Sequence, residues 1–411
     1  MTQPIKQARW DIFCKIVDNY GDIGVCWRLA KQLASEYEQL SIRLYIDDIA
    51  VAAKIIQHLD ISELSAQTIN HVEIYRLDDA QYTPDVAVII ETFGCGLPAN
   101  YVHAMESNLP AQAVWINLEY LSAESWVGDF HGKPSKQSCL NNPALTFTKH
   151  YFFPGFNDNT GGLLREKSVG QDSVAFTAPL AQTHSEKSLS QLLQSIIPAS
   201  FSSKVIDLNA LNVSLFCYPQ ADVNLCITAF QNHHQAVNIF IPFNENLTAF
   251  KSLFADFNYK IGEIYTFENI TLIVLPFLSQ PDYDTLLQNC DLNFVRGEDS
   301  WIRAIWAAKP FIWQPYIQTE HTHIQKLNAF LQTHFRNASQ PLQSIIMNAH
   351  LAWSNALAKN DDNAQAIWLT LLNALPKLQA EYAAQAQQLI QQTDLAAALV
   401  AFSEKVIKNQ V

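Results

Sequence analysis

The clearest chemical signal in the sequence is the loop Arg296–Ser300, which reads RGEDS. Arg296 offers a permanent cation whose forked donors suit phosphate oxygens. Glu298 and Asp299 would repel phosphate, so their carboxylates are better suited to the hydroxyl groups of a sugar or ribose. These residue types together indicate a nucleotide-sugar ligand. A surface ion pair between Arg296 and Glu298, with Asp299 or Ser300 only capping a helix, accounts for the same loop.

The elements around this loop are those that hold ligands in parallel sheets. A predicted strand, Leu292–Val295, precedes it, and a predicted helix, Trp301–Ala308, follows it. The loop therefore falls at the carboxyl end of a strand, and Asp299 or Ser300 is the predicted N-cap of the helix. The first turn of such a helix has unpaired N–H groups that attract anions. The sequence predicts that a diphosphate binds in front of this helix.

A second polar loop, DNYGDIG, begins at Asp18 and joins a predicted strand, Ile12–Val17, to a helical pattern. Asp18 and Asp22 stand on either side of a glycine turn, at a strand end where open α/β sheets keep their chemistry. An Asx-turn at Asp18 and a helix N-cap at Asp22 form the purely structural interpretation. Gly21 and Gly24 do not complete a G-x-G-x-x-G fingerprint, so no dinucleotide cofactor is predicted.

Aromatic and amide side chains follow two other strands in the second half of the chain. Phe216 and Tyr218 lie near the end of one predicted strand, and Phe277 and Gln280 follow another. An aromatic ring at a strand end can stack on a nucleobase, and an amide can bind its polar edge. Core packing is the alternative for Phe216 and Phe277.

Several other polar positions receive simpler interpretations. The loop Phe93–Gly96 and the pair Glu119–Tyr120 also follow strand ends and are candidates to line the same cleft as Asp18 and Asp22, although glycines there are typical of turns. His321 and His323 lack a nearby carboxylate or cysteine partner, so no metal site is predicted. Asp282 is interpreted as the N-cap of a helix that spans Tyr283–Asn289.

Strands and helices alternate along both halves of the chain, which predicts an α/β fold with two Rossmann-like domains. The predicted strands after the first are Ile42–Ile46, Val72–Leu77, Val86–Thr92, Ala113–Asn117, Val213–Tyr218, Val237–Pro242, Ile270–Leu275, Leu292–Val295 and Phe311–Gln314. The predicted helices include Val51–Leu59, Pro98–Met105 and Leu247–Phe254. We expect a first domain at residues 1–185, a second at 205–385, and a C-terminal helix within 386–411 that packs back on the first.

The composition is that of a globular protein whose partners are neither nucleic acid nor membrane. The chain has 411 residues, of which 49% are hydrophobic, and a formal net charge of -13. Such a charge disfavours binding to nucleic acid or to an anionic membrane surface. No apolar run reaches the length of a membrane span, and the scattered cysteines contain no C-x-x-C pair. These features predict a reduced cytoplasmic protein without structural zinc.

Five segments, in register along most of the chain, resemble the protein-arginine rhamnosyltransferases that modify bacterial elongation factor P. They are DNYGDIGVCWRLA near the start, PGFNDNTGGLLRE before the expected domain boundary, FCY at Phe216–Tyr218, PFLSQ at Pro276–Gln280, and DLNFVRGEDSWIRAIWAAKPFIWQPY from Asp291. No departure from the family pattern occurs at the positions quoted.

The resemblance implies a GT-B glycosyltransferase, in which two Rossmann-like domains face one another across a central cleft. It further implies transfer of rhamnose from dTDP-β-L-rhamnose to an arginine of elongation factor P, with inversion at the anomeric carbon. No cofactor is expected, and the absence of a D-x-D pair from the cleft loops, except at Asp282-x-Asp284, predicts that no metal is needed. Two alternatives are a transferase with a cell-envelope or small-molecule acceptor, and a non-catalytic nucleotide-sugar-binding protein.

The resemblance also implies roles for individual residues. The catalytic set is Asp22, Asp18 and Glu298, with Asp22 favoured as the proton acceptor and Asp18 as its orienting partner, while the reverse assignment stays open. The donor-binding set is Asn19, Tyr20, Gly21, Phe216, Tyr218, Phe277, Gln280, Arg296, Gly297, Glu298, Asp299 and Ser300. Within it, Phe277 and Tyr218 are expected near the thymine and ribose, and Gln280 near the base or the sugar.

Overall fold

The computed structural model describes residues 8–18, 20–107, 113–139, 146–167, 188–198, 206–242, 260–357 and 361–410. The chain divides into two compact units, of which the first is Met1–Gly170 with Gln391–Val411 and the second is Gln171–Ile390. The first unit ends at Gly170, earlier than the expected domain end at residue 185. The chain returns to the first unit at Gln391, close to the expected residue 386. Each unit has its own mainly parallel sheet, which confirms the α/β fold with two Rossmann-like domains.

The first unit is built on a sheet with strand order β3-β4-β2-β1-β5-β6-β8-β7. Its described strands are β1 (Ala8–Cys14), β2 (Leu40–Ile46), β3 (Gln67–Ile69), β4 (Val72–Arg76), β5 (Val86–Thr92), β6 (Val114–Leu118), β7 (Pro134–Ser138) and β8 (Thr146–Phe152). The central strands pair in parallel, as where Ile12 lies opposite both Leu44 and Ile90. The edge strands β3 and β7 are antiparallel to their neighbours. The carboxyl ends of β1, β5 and β6 therefore meet at one edge of this sheet.

The first strand ends earlier than its apolar run predicts. The run Ile12–Val17 was expected to be a strand, but β1 stops at Cys14, and the side chain of Val17 is exposed. The backbone N–H groups of Val17 and Asp18 bond to the carboxylate of Asp22 and do not pair with a neighbouring strand. This local polar contact ends the strand.

The helices of the first unit include one that returns from the C-terminus. They are α1 (Gly21–Glu36), α2 (Ile49–Ile55), α3 (Ala99–Ser107) and α4 (Val127–Phe130), with a short 3-10 turn at Leu77–Asp79, and later α12 (Leu395–Gln410). The last helix packs against α1 and β6. Its residues Leu395 and Leu399 are buried, and the ring of Phe402 contacts that of Phe152 at 5.4 Å. The apolar stripe predicted near the C-terminus is therefore part of the first unit's core.

The second unit has a sheet with strand order β11-β12-β10-β9-β13-β14. Its described strands are β9 (Leu211–Leu215), β10 (Val237–Pro242), β11 (Ile264–Phe267), β12 (Ile270–Leu275), β13 (Leu292–Arg296) and β14 (Phe311–Gln314). All pairs are parallel except β11 with β12. The central strands are almost wholly buried, as their continuous apolar runs require in a sheet covered on both faces.

Helices surround the second sheet. They are α5 (Leu189–Ile196), α6 (Val223–Gln231), α7 (Gln280–Asn289), α8 (Asp299–Ala307), α9 (Thr322–His334), α10 (Gln340–Trp353) and α11 (Asp361–Ile390), with a 3-10 turn at Thr319–His321. The expected helix at Leu247–Phe254 lies outside the described residues. Helix α7 begins at Gln280, three residues before the predicted Tyr283, because Ser279 caps it by accepting from the amide of Asp282. The assignment of Asp282 as N-cap was wrong.

Among the described residues, no helix combines the length and the apolar character that crossing a membrane requires.

Candidate active site

Asp22 organises the loop between β1 and α1. It lies in the first turn of α1, is 2% exposed, and directs Oδ2 back at the loop, where it accepts from the amides of Val17 at 2.7 Å and Asp18 at 2.9 Å. The helix N-cap is Tyr20, without a side-chain cap bond, so the structural interpretation of Asp22 as N-cap was wrong. The carboxylate is instead held in place by the chain that precedes its own helix.

Asp18 lies against the same turn. Its carbonyl accepts from the amide of Gly21 at 2.7 Å, and a Cβ atom at Gly21 would lie 3.0 Å from Asp18 Oδ2. Glycine therefore lets the two carboxylates share the head of α1. Tyr20 occupies the turn between them, and the predicted donor-binding residue Asn19 lies outside the described residues.

A tyrosine from another strand end completes the surroundings of Asp22. The hydroxyl of Tyr120, which follows β6, donates to Asp22 Oδ1 at 3.2 Å. The ring of Tyr120 stacks on that of Phe93, with centroids 4.2 Å apart and planes inclined by 9°. The sequence analysis placed both residues at strand ends, as candidates to line the cleft, but predicted neither contact, because neither joins residues close in sequence.

The loop that carries Phe93 is anchored by buried polar side chains. The amide of Gly94 donates to Asn117 Oδ1 at 3.1 Å, and the amide of Gly96 donates to Glu91 Oε1 at 3.0 Å. The other oxygen of Glu91 accepts from Trp115 Nε1 at 3.1 Å and pairs with Lys149 at 3.3 Å. The glycines after β5 thus form a fixed structure beside the Asp22 loop.

In the second unit, Arg296 stacks on two aromatic side chains. Its guanidinium carbon lies 4.2 Å from the ring centroid of Phe216 and 4.7 Å from that of Tyr218. Its Nη1 donates to the carbonyl of Cys217 at 2.9 Å. The strand predicted to reach Tyr218 ends at Leu215, although the amide of Phe216 still donates to the carbonyl of Phe294 in β13 at 3.0 Å. The segment Phe216–Tyr218 after this strand provides the contacts with the arginine. Stacking fixes the guanidinium plane and leaves an edge for a ligand.

The loop after Arg296 is closed by backbone contacts. Gly297 has φ 62, in the left-handed region, where glycine is favoured. Its amide donates to the carbonyl of Gln314 at 3.2 Å, and its carbonyl accepts from Trp313 Nε1 at 2.7 Å. The indole of Trp313 stacks at 3.6 Å on Trp301 of α8, which fixes that helix to the sheet.

The start of α8 differs in detail from the prediction. The helix begins at Asp299 with Glu298 at the N-cap position and no side-chain cap bond, so neither Asp299 nor Ser300 is the N-cap. The hydroxyl of Ser300 instead accepts from the amide of Arg296 at 3.0 Å and donates to its carbonyl. Asp299 pairs with Arg303, one turn along, at 2.9 Å. The N-terminus of α8 therefore lies directly after the Arg296 loop, and the N-cap residue Glu298 makes no side-chain cap bond.

The remaining predicted donor-binding residues lie at the start of α7. Phe277 is 37% exposed, so core packing does not account for it. Gln280 is buried, and its amide nitrogen lies 3.5 Å from Asp299 Oδ2. Phe216, by contrast, also packs on Tyr283, with centroids 5.9 Å apart, so it serves both the core and Arg296. The second unit therefore brings these residues and the Arg296 loop to one sheet edge.

Two supporting residues were missed by the sequence analysis. Gln314 ends β14, is 3% exposed, and accepts from the amide of Tyr218 at 2.9 Å, which ties the two strand ends together. Arg303 bonds to Asp284 at 2.7 Å as well as to Asp299. Two features of the sequence could have indicated them. Gln314 is a polar residue at the end of an apolar strand, and Arg303 is a charged residue on the apolar face of an amphipathic helix.

No group of three or more His, Cys, Asp or Glu residues suited to a metal ion occurs in the described part of the chain. His323 is buried, and burial lowers the pKa of its imidazole, while its Nδ1 accepts from the amide of Gln318 at 3.4 Å. Burial likewise raises the pKa of the Glu119 carboxyl, which is bonded to the side-chain amide of Asn117.

Each unit therefore has a distinct chemical capacity. The first holds two carboxylates at the head of α1, which suits proton transfer and the binding of a cation. The second holds a stacked guanidinium beside a helix N-terminus, which suits an anionic nucleotide.

Comparison with known proteins gives a consistent result. The model of the family described as Elongation-Factor P (EF-P) rhamnosyltransferase EarP matches residues 10–404. The protein-arginine rhamnosyltransferase of Pseudomonas putida is 37% identical over 400 residues, which cover 96% of this chain and 98% of that protein. The protein of the same name from Pseudomonas aeruginosa is 35% identical over 398 residues, with the same coverage.

A solved structure extends this similarity to three dimensions. It is described as the structural basis for EarP-mediated arginine glycosylation of translation elongation factor EF-P. That chain is 28% identical, superposes with a TM-score of 0.64, and is matched over 97% of this chain and 99% of its own length. With its two Rossmann-like units of the GT-B class and a family match over nearly its whole length, the chain belongs to the EarP family of elongation factor P rhamnosyltransferases and is a glycosyltransferase.

Proposed function

We propose that this enzyme transfers L-rhamnose from dTDP-β-L-rhamnose to an arginine side chain of elongation factor P, with inversion at the anomeric carbon. The proposal rests on family membership together with one structural observation, the stacked Arg296 immediately before the N-terminus of α8. Because the acceptor is a translation factor, the reaction is proposed to take place in the cytoplasm.

The donor's diphosphate is assigned to the α8 end of the second sheet. A permanent cation and backbone N–H groups aimed at the same place stabilise the negative charge that develops on the departing dTDP. Stacking on Phe216 and Tyr218 holds Arg296 before the donor arrives, so little ordering is needed on binding.

The remaining parts of the donor are assigned to neighbouring side chains. The exposed ring of Phe277 suits the thymine, and the Gln280 amide suits the base or the sugar. Glu298, which is 8% exposed, and Asp299 are assigned to hydroxyl groups of the donor.

The acceptor chemistry gives the aspartates their role. A guanidinium has a pKa above ~12 and no free lone pair, so it must be oriented and must lose a proton as its nitrogen attacks. In the proposed step the nitrogen bonds to the anomeric carbon, the bond to the diphosphate oxygen breaks, and the proton passes to a carboxylate. Asp22 is assigned as the proton acceptor and Asp18 as the group that orients the guanidinium. Inversion requires no covalent intermediate on the enzyme.

The test is direct. The purified protein is incubated with dTDP-β-L-rhamnose and purified elongation factor P, and the intact mass of the acceptor is measured, followed by peptide mapping. We expect the mass of one deoxyhexose on one arginine. Matched reactions with dTDP-glucose, and with an acceptor whose modified arginine is replaced by lysine, should show no addition. Absence of transfer under all conditions would refute the proposed donor and acceptor.

A further inference from the structure

The two oxygens of the Asp22 carboxylate have different surroundings. Oδ2 accepts two backbone N–H bonds, at 2.7 Å from Val17 and 2.9 Å from Asp18. Oδ1 accepts one longer bond, at 3.2 Å, from the hydroxyl of Tyr120. A carboxylate oxygen has about two lone-pair directions, so Oδ2 has both in use and Oδ1 keeps one. A proton is therefore accepted more easily at Oδ1.

We propose that Oδ1 of Asp22 receives the guanidinium proton and that Tyr120 is the positioning residue that holds this oxygen. The inference rests on the proposed function and adds a residue and an atom to it. As the guanidinium nitrogen bonds to the anomeric carbon and the diphosphate oxygen leaves with its electron pair, the proton moves to the open lone pair of Oδ1. Tyr120 transfers no proton. Its hydroxyl fixes the torsion angle of the Asp22 carboxylate, so that the open lone pair of Oδ1 points in one direction.

The geometry around Tyr120 supports a positioning role. Its ring lies parallel to that of Phe93 at 4.2 Å, and Phe93 itself has φ 56, in the left-handed region that a bulky residue rarely adopts. The backbone keeps this conformation because the following glycine amides are bonded to Asn117 and Glu91. The ring is thus held before a substrate binds, which is the arrangement that preorganised sites require.

The contact joins two parts of the chain that are far apart in sequence. Asp22 stands at the head of α1, and Tyr120 lies 98 positions away at the end of β6. The Tyr120 bond therefore connects the strand end after β6 to Oδ1 of Asp22, the oxygen proposed to take the proton. Loss of the hydroxyl should loosen Oδ1 while Oδ2 stays bonded to the backbone.

The decisive variant is Tyr120→Phe, which removes the hydroxyl and keeps the ring on Phe93. We expect kcat to fall about 10- to 100-fold, the effect of one hydrogen bond to a charged group, with KM for dTDP-β-L-rhamnose and the thermal midpoint unchanged. Phe93→Leu removes the stacking partner and keeps the hydroxyl, so it should lower kcat by a smaller factor. The double variant should equal Tyr120→Phe alone, because both changes act through one contact.

A matched control is Tyr75→Phe. The hydroxyl of Tyr75 also donates to a carboxylate, Glu73 Oε2 at 2.9 Å, but within β4 and away from the Asp22 loop, so kcat should not change. Equal kcat values for the unaltered enzyme and Tyr120→Phe would overturn this inference alone. A loss of kcat accompanied by a lower thermal midpoint would also overturn it, since it would show a purely structural role. No transfer by the unaltered protein would instead refute the proposed function, and this inference with it.

Discussion

At the scale of single residues, the proposed base can be tested without disturbing its surroundings. The amides of Val17 and Asp18 require an acceptor, so in Asp22→Asn the amide oxygen will take the Oδ2 position and the NH2 group will face Tyr120. The loop keeps its backbone contacts but loses the atom that accepts the proton. We expect transfer to fall by at least ~100-fold, the lower end of general-base contributions, with dTDP affinity measured by calorimetry unchanged.

Asp48→Asn is a suitable control for this variant. Asp48 caps α2 by accepting from the amide of Val51 at 3.0 Å, so the change tests the effect of an aspartate-to-asparagine substitution elsewhere in the first unit. It should lower stability slightly and leave turnover unchanged. Near-normal turnover by the Asp22 variant would move the base to another residue, with Asp18 the next candidate.

Arg296 is the corresponding residue of the second unit. Arg296→Ala removes the cation and its stacking contacts with Phe216 and Tyr218. It should weaken the binding of dTDP-β-L-rhamnose by about 1.5–3 kcal/mol. Arg296→Lys keeps the charge but loses the planar stack and the forked donors, so the loss should be smaller and still measurable. The exposed Arg336 supplies the control, since Arg336→Ala should bind as the unaltered protein does. Equal calorimetric affinities for all four proteins would contradict the assignment of the diphosphate.

At the scale of elements, the positive end of α8 has a consequence for metal dependence. With Arg296 beside it, the helix N-terminus offers the positive potential that other nucleotide-sugar transferases obtain from a divalent cation. We therefore expect the transfer rate to persist in excess EDTA. A large loss of rate in the chelator, restored by Mg²⁺ or Mn²⁺, would show that a metal holds the diphosphate. Glu298 and Asp299 would then have to be reassigned from hydroxyl groups to that metal.

Helices α9 and α10 make the second unit sensitive to acid. Burial lowers the pKa of His334 to about 3 and that of His350 to about 4. Both values are below the ~6.5 of an unfolded chain, so below pH ~6.5 the unfolded state binds protons that the folded state does not. The contribution of the two neutral histidines to the free energy of unfolding is therefore fully present above pH ~6.5. It is lost as the pH falls towards the pKa values that the histidines have in the folded state.

Between pH 7 and 5 each histidine should remove about 2 kcal/mol from the free energy of unfolding. His350→Leu should therefore roughly halve the fall in urea midpoint over this range. His234→Leu, at an exposed position of the same unit, should leave the fall unchanged. Identical pH dependence for both variants would show that other groups cause the acid sensitivity.

Strand positions were largely predictable from the sequence, while helix starts were not. Continuous apolar runs located β10, β12 and β14 to the residue, because burial on both faces leaves little ambiguity. The starts of α7 and α8 were misplaced because capping side chains had tertiary partners. Asp299 pairs with Arg303, and Ser279 takes the cap that Asp282 was expected to supply.

The candidate site was likewise only partly predictable from the sequence. Residues at strand ends, including Asp22 and Arg296, could be found from the sequence because parallel sheets place ligand-binding loops there. The contacts that hold them could not, since Tyr120 meets Asp22, and Gln314 meets Tyr218, only after distant strands pair. The spacing of residues along the sequence does not show which of these distant side chains will be in contact.

At the scale of the whole molecule, the chain leaves the first unit, forms the second, and returns to the first with α12. The return is fixed by polar contacts as well as by packing. Gln32 on α1 bonds to Asp394 at 3.1 Å, and the amide of Leu395 donates to the carbonyl of Leu163 at 2.9 Å. Asp22, the proposed base, lies in the first turn of the same helix α1. The C-terminal helix therefore helps to hold the helix that carries the base.

This return predicts that a substitution near the C-terminus weakens the N-terminal part of the chain. Leu399 is 0% exposed, so Leu399→Ala removes buried methyl groups and should cost about 2–5 kcal/mol of unfolding free energy. Ile407→Ala on the same helix changes a side chain that is 38% exposed and should cost much less. Hydrogen exchange followed by peptide mass spectrometry will locate the effect. Faster exchange in α1 and β6 of the Leu399 variant, with β10 and β12 unchanged, is the expected result, and faster exchange confined to β10 and β12 would contradict the assignment of α12 to the first unit.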